Sequence, residues 1–350
     1  MTERVLTTQE LNRALLARQF LLERSKLSLV RTIDGMGGLQ TQYAPSGYIA
    51  LWSRLDGFRR GALTRALERG RVLQGTLMRV TIHMVSAAEY PLFAAGTRTS
   101  RREWWLRTHK NEIEGLDMEL VAERLRALLA GGPRKADELK ASLAGAGFPA
   151  VAWSGAGLWL DMIRVPPSGT WARRKADLYG LAEDVVGRRS ATEAEGLAHL
   201  VKRYLGGFGP APVGDIARWA GVRPTKISPI VERLRLRRFR DEDGRLLFDL
   251  PRAPLPEGDA PAPVRFLPTW DATLLVSNRR TQILPEPYRA LVFNTKTPQS
   301  VSTFLVDGQV AGLWRYEGGG IRLEPFDTVP RVARRELEEA SGRLAAFHAD

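Results

Sequence analysis

Residues 71–85 read RVLQGTLMRVTIHMV, and here the hydrophobic period of the chain changes. β-Branched residues crowd the run and Gly75 breaks it, the pattern of a strand pair or wing. The residues before it keep a helical period. Thr7-Thr8-Gln9-Glu10 has the form of a capping box and leads into Leu11, Leu15, Leu16, Phe20, Leu21 and Leu22, an apolar stripe that predicts a core-facing helix within 7–30. Tyr48, Ile49, Leu51, Trp52 and Leu55 predict another helix, and Leu63 to Leu67 a short one ahead of Gly70. Helices followed by a strand pair make a winged-helix-like unit over 1–117.

The same order recurs twice, without a residue-level repeat. In 118–190, helices are expected at Glu119 to Ala130, Lys135 to Leu143 and Gly155 to Arg164. Residues 165–181 then read as a strand, a Pro/Gly turn and a returning strand that carries Arg173, Arg174 and Lys175. In 191–250, a helix over Glu193 to Leu205 is followed by VGDIARWA at 213–220, Gly221 and a helix from Thr225 to Leu236, the spacing of a helix-turn-helix. LLFDL at 246–250 supplies a strand. Five prolines in 251–264 mark a linker. Beyond it RFLP at 265–268, ATLLVS at 272–277, the run from Ser300 to Tyr316 and GGGIRLEPF at 318–326 read as strands, with Asp307-Gly308 as a hairpin turn. An amphipathic helix, Val332 to Phe347, closes a compact C-terminal β domain over 265–350. The expected fold is mainly α with β wings: three tandem winged-helix domains and this fourth domain.

Charge and composition narrow the function. The 350 residues carry 52 Lys plus Arg against 39 Asp plus Glu, a net charge of +13, with a pI near 10.4. That balance favours a polyanionic partner, nucleic acid before an anionic membrane. There is no cysteine, so disulfides, thiolate nucleophiles and Cys-ligated metals are excluded. Neither a signal-peptide core nor an 18-residue apolar stretch occurs, which leads us to expect a cytoplasmic, nucleoid-associated protein with no membrane contact. His83, His109, His199 and His348 lack metal-type spacing, Gly318-Gly319-Gly320 lacks the rest of a phosphate loop, and there is no nucleophile elbow. No metal and no cofactor are expected. Three clusters of basic residues stand at similar points of the three units: Arg98, Arg101, Arg102, Arg107 and Lys110 around Trp104 and Trp105; Arg173, Arg174 and Lys175; and Arg235, Arg237, Arg238 and Arg240. Duplex DNA needs cations spread in this way.

The chemistry centres on Gly37 to Pro45, GGLQTQYAP, where Gln40 and Gln42 lie one residue apart between breakers. In an extended chain both amides point to one side, whereas in a helix they diverge by about 200°. A loop glutamine pair can also do no more than cap backbone groups or face water.

GLQTQ at 38–42, LMRVTIHMV at 77–85, VPPSGTWARR at 165–174 and GPAPVGDIARWAG at 209–221, with LPTWDATLL and VDGQVAGLWR further on, together resemble the bacterial AlkZ-like DNA glycosylases, also described as winged-helix proteins of the YcaQ type. The resemblance runs through most of the chain. It implies three tandem winged helices plus a C-terminal β-barrel around a DNA-sized cleft. It also implies that Gln40 and Gln42 are catalytic, since the family motif is Gln, an apolar residue, Gln. Thr41 departs from it by standing where an aliphatic is usual. A further branch of the family carries Asp at the second place, so Gln42 indicates the AlkZ side. The implied reaction is excision of bulky N7-alkylguanines, including adducts and crosslinks left by DNA-alkylating natural products, as repair or self-resistance.

Amides suit such a substrate. A neutral amide is no general acid or base near pH 7, but it can orient water and support developing positive charge through its dipole. A purine alkylated at N7 is already cationic and leaves without protonation. The expected roles are therefore a water held by Gln42 with help from Gln40, and contacts to double-stranded DNA by Arg79, His83, Arg101, Arg102, Arg173, Arg174 and Lys175 in a monomer. Two other readings stand beside this one: a winged-helix transcriptional regulator that reads an operator without base loss, and a drug-binding resistance protein whose affinity ignores salt.

Overall fold

The computed structural model describes residues 3–187, 189–275, 281–293 and 301–350. After strand β1 (Val5–Leu6), helix Thr8–Arg18 begins at a complete capping box: Thr7 Oγ1 accepts from the Glu10 amide, and the Glu10 carboxylate accepts from the Thr7 amide. It stops well short of residue 30. Phe20 turns the chain at φ 54°, and the Gln19 side chain donates to the carbonyls of Met36 and Gly207. The apolar stripe misleads here because Leu21 is buried by a tertiary turn, not by another turn of helix. Helix Leu29–Gly35 follows, then strand β2 (Leu39–Gln40), helices Ala44–Arg54 and Arg60–Glu68, and the hairpin of β3 (Val72–Thr76) and β4 (Ile82–Ser86).

The second wing is not separate from the first. Strands β5 (Arg134–Lys135), β6 (Met162–Arg164) and β7 (Leu178–Leu181) join it in one six-stranded sheet of order β2-β4-β3-β6-β7-β5, through the pairs Gln74 with Arg164 and Gly75 with Ile163. Gly75 permits this packing, since a Cβ there would come within 2.7 Å of the Tyr90 ring. The expected helix Gly155 to Arg164 ends at Trp159, and its last residues are β6. Arg173, Arg174 and Lys175 accordingly lie in the loop between β6 and β7, not on a strand.

Helix Tyr90–Thr108 and helix Glu193–Phe208 cross at a glycine pair. A Cβ on Gly196 would stand 2.2 Å from the Gly96 nitrogen, so no side chain fits between the two backbones. Gly196→Ala is expected to cost about 1–3 kcal/mol or more by overpacking, read as a lowered unfolding midpoint. An unchanged midpoint would show that the helices can separate freely. Helices Val213–Ala220 and Pro224–Arg233 meet at Gly221, in the left-handed conformation at φ 69°, as a helix-turn-helix glycine requires. Strands β8 (Arg237–Asp241) and β9 (Leu246–Asp249) complete this unit as an antiparallel pair, and β8 also pairs with β1 in parallel.

The 251–264 segment has neither helix nor strand, yet it is held along the first helix: Arg13 Nε donates to the Ala260 carbonyl at 2.6 Å and Arg18 Nε to Pro254 at 3.0 Å. The last sheet is an open antiparallel meander of β10 (Arg265–Leu267), β11 (Thr303–Val306), β12 (Gln309–Glu317) and β13 (Gly320–Pro325). Its edge strands do not pair with each other, so the described residues form no closed barrel, against expectation. Nor is 272–275 a strand: Asp271 Oδ1 accepts from the Thr273 amide and hydroxyl and starts a helical turn, Ala272–Leu275. Residues 276 and 277 of that expected strand lie outside the described residues. Helix Arg331–Ala349 closes the domain.

Candidate active site

The glutamine stretch is extended through Gln40 and Thr41. Gln40 faces His83 across the β2–β4 ladder, and the Thr41 amide continues the ladder to the Ile82 carbonyl at 2.8 Å. Gln42 follows in a bend, and its side chain reaches back to the Ile82 amide of the neighbouring strand. Thr41, between them, is buried. Its Oγ1 accepts from Gln74 Nε2 at 3.4 Å, and its methyl lies where a Cβ on Gly47 would come within 2.9 Å. A threonine thus fills the aliphatic position because the methyl packs and the hydroxyl has a partner.

The donors around the pair fix how both amides point. Ile82 N–H donates to Gln42 Oε1 at 2.8 Å, and Arg79 Nη2 donates to Gln40 Oε1. Neither donor can accept, so in both residues the oxygen must face the protein's N–H group. One lone pair of each oxygen is used; the other is free for a further donor. Gln42 is exposed and Gln40 is buried. Solvent therefore reaches the second amide more readily than the first.

Arg79 is set by unusual backbone. The β3–β4 tip holds two successive residues at positive φ, Arg79 at 52° and Val80 at 58°, a conformation that non-glycine residues avoid. The third unit packs directly onto it: a Cβ on Gly221 would come within 2.9 Å of the Arg79 nitrogen, and Arg79 Nη1 donates to the Trp219 carbonyl at 2.8 Å. Desolvation lowers the Arg79 pKa to about 10, so it remains a cation at neutral pH.

His83 shares the face of Gln40 but cannot act as an acid. Desolvation first and the Arg79 charge second bring its pKa down to about 3, and its Nδ1 lies 3.0 Å from the Thr81 carbonyl. At 2% exposure it also offers no surface to DNA. Arg101 is equally buried, with Nη1 on the Thr76 carbonyl. Both were expected to touch DNA, and both side chains are buried in this structure. Arg102 is half-buried and engaged, donating to the carbonyls of Leu158 and Trp159 and lying 4.9 Å over the Trp159 ring.

Of the basic loop, Arg174 comes to the glutamine stretch: its Nη1 donates to the Tyr43 hydroxyl at 2.8 Å. Arg173 and Lys175 are exposed but share Asp177, at 3.3 and 3.2 Å. Tyr43 and Gln74 were not singled out in the sequence. Tyr43 directly follows the motif, a signal that could have found it; Gln74 had none, because its role depends on the hairpin register.

A family model described as "DNA glycosylase AlkZ-like" matches residues 33–347. The chain belongs to the AlkZ-like DNA glycosylase family. The DNA glycosylase AlkZ of Streptomyces sahachiroi has a similar structure, with a TM-score of 0.78 at 19% sequence identity, over 99% of this chain and 97% of that one. At that identity the likeness establishes a shared fold. No curated protein matches the sequence. As a member of the AlkZ-like family the chain is a DNA-acting protein, and among its described residues no helix is long and apolar enough to cross a membrane.

Proposed function

We propose that this AlkZ-like protein hydrolyses the N-glycosidic bond of bulky N7-alkylguanines in duplex DNA, with Gln40 and Gln42 as its catalytic residues. The observation that carries the reading is the orientation of the two amides. Donors that cannot accept hold each oxygen in place, and the second lone pair of the exposed Gln42 oxygen accepts an O–H of water. The water then presents its own lone pair to the sugar carbon from which the base departs. Positive charge that builds on the sugar lies near the negative ends of two fixed amide dipoles. Among the described residues, the hydrogen bonds to the two amide oxygens come from Arg79 and Ile82 and none from a carboxylic acid. With His83 held neutral as well, the site suits a leaving base that already carries its charge. The cationic base takes the C–N bonding pair and leaves as neutral alkylguanine, water forms the new C–O bond, and its surplus proton passes to solvent, which leaves an abasic site without a covalent lysine step.

Such lesions fit repair or self-resistance to a DNA-alkylating natural product. Incubation of the purified protein with duplexes carrying small and bulky N7-alkylguanines is expected to release the modified base and leave an intact strand with an abasic site. No release from any duplex of the panel would refute the proposal. Operator-specific binding without base loss would favour a regulator instead.

A further inference from the structure

Arg79 faces a second neighbour besides Gln40. A cleft of about 390 Å³ lies between the hairpin tip, helix Tyr90–Thr108 and the turn around Gly221. Arg79, Arg101, Arg107, Arg218 and Arg223 line it against one carboxylate, Glu103. Two polar groups of its lining are buried and unanswered. Arg101, 2% exposed, spends Nη1 on the Thr76 carbonyl, while its Nε and Nη2 have no hydrogen-bond partner among the described residues. Ser100, 8% exposed, contributes an Oγ equally without one. Buried donors left open cost free energy unless a ligand answers them.

The donors also match one ligand chemistry. Guanidinium groups present forked N–H pairs to tetrahedral oxyanions, and a hydroxyl adds one more donor. Arg218 and Arg223 stand exposed on the helix-turn-helix side and Arg107 on the opposite side, so these three meet an anion first, while the open donors of Arg101 and Ser100 lie behind them, closed to solvent. The single carboxylate present, Glu103, reaches Arg223 at 3.4 Å, a partly exposed contact that an incoming anion would exchange. Trp104, 42% exposed, borders the same cleft and offers a flat face to a sugar or base.

We propose that this cleft binds a phosphate group, and that its source is a backbone phosphate of the DNA strand next to the lesion. The choice of source rests on the glycosylase reading; the anion chemistry does not. Since Arg79 lines the cleft and also donates to Gln40 Oε1, a phosphate seated there meets the residue that orients the catalytic amide. The third unit would then tie DNA binding to the residue that holds the Gln40 amide.

The test uses the full chain and no catalysis. Affinity for a duplex carrying a tetrahydrofuran abasic analogue is followed by fluorescence anisotropy across a KCl series, for wild type and for Arg218→Ala with Arg223→Ala. Both side chains are exposed, and unchanged circular dichroism and melting would show that the variant folds. The log–log salt slope of the variant is expected to shrink by about 0.9 for each phosphate that the protein no longer neutralises, and Arg218→Lys with Arg223→Lys to recover most of it. In parallel, inorganic phosphate at constant ionic strength is expected to raise the melting midpoint of wild type but not of the alanine variant. A phosphate response with an unchanged DNA slope would overturn the DNA source and assign the cleft to a free phosphate compound. An unchanged slope together with no phosphate response would overturn the site altogether. Failure of base release with a reduced slope would refute the glycosylase reading and leave the cleft standing.

Discussion

Gln42→Ala is expected to lower the rate of N7-alkylguanine release by about 10²–10³-fold while leaving affinity for lesion duplex nearly unchanged. The size follows from what one fixed dipole at a developing charge is worth, about 2.7–4 kcal/mol where such groups have been removed from other enzymes. The selectivity for rate over binding follows because the Gln42 oxygen meets water and sugar only as the bond breaks. Its structural role is small. The Ile82 amide that it accepts from lies at an exposed position and can turn to solvent, so the fold should survive. Gln40→Ala should cost a similar factor for a different reason. It leaves Arg79 Nη2 without its acceptor, so part of its effect is expected as lost stability, about 1–3 kcal/mol. Single-turnover release with a melting curve for each variant separates the two. Rates within twofold of wild type for both variants would remove the pair from catalysis.

Asp249→Ala is expected to be the most destabilising single change. The carboxylate is fully buried and accepts from Arg18 Nη1 at 2.6 Å and Nη2 at 3.1 Å, from Arg237, and from the Leu250 amide at 2.9 Å. Arg18 is fully buried too, and it reaches the Leu205 and Pro254 carbonyls. Truncation leaves that guanidinium in the interior without its counter-charge, a loss of about 3–5 kcal/mol. Against a typical stability of about 5–15 kcal/mol, this is roughly a fifth or more of the total. The expected readout is a large fall in the urea midpoint, with Asp249→Asn falling less because one acceptor oxygen remains. An Asp249→Ala midpoint equal to wild type would mean that the ion pair is replaced by water at no cost.

What could be read in the sequence was local. Thr7 and Glu10 announce a helix start because both halves of a capping box lie within four residues. Gly221 and Asp307-Gly308 announce turns because their φ values are positive, at 69°, 46° and 76°. The glutamine pair was visible, and so was its use if extended. The misreadings come from long-range pairing. Nothing near Gly75 tells that its strand will add β6, nearly ninety residues on, and so merge two expected wings. Arg101 looked like one more surface cation because charge in a sequence does not reveal burial; only the Thr76 carbonyl and the helix crossing at Gly96 put it inside. The burial of His83 is hidden in the sequence for the same reason. The end of the first helix was missed because Leu21 satisfies the helical period while packing in a tertiary turn.

Two oriented amides, with no titrating acid or base, are proposed to remove a base that is already cationic. The pH dependence of single-turnover N7-alkylguanine release tests this most directly. Two titratable groups border Gln40: His83, with a pKa of about 3, and Arg79, with a pKa of about 10. Between about pH 5.5 and 8.5 neither changes charge, so the rate is expected to be flat over that range. A bell-shaped profile, or a limb of unit slope within it, would show an acid or base at work and contradict the account.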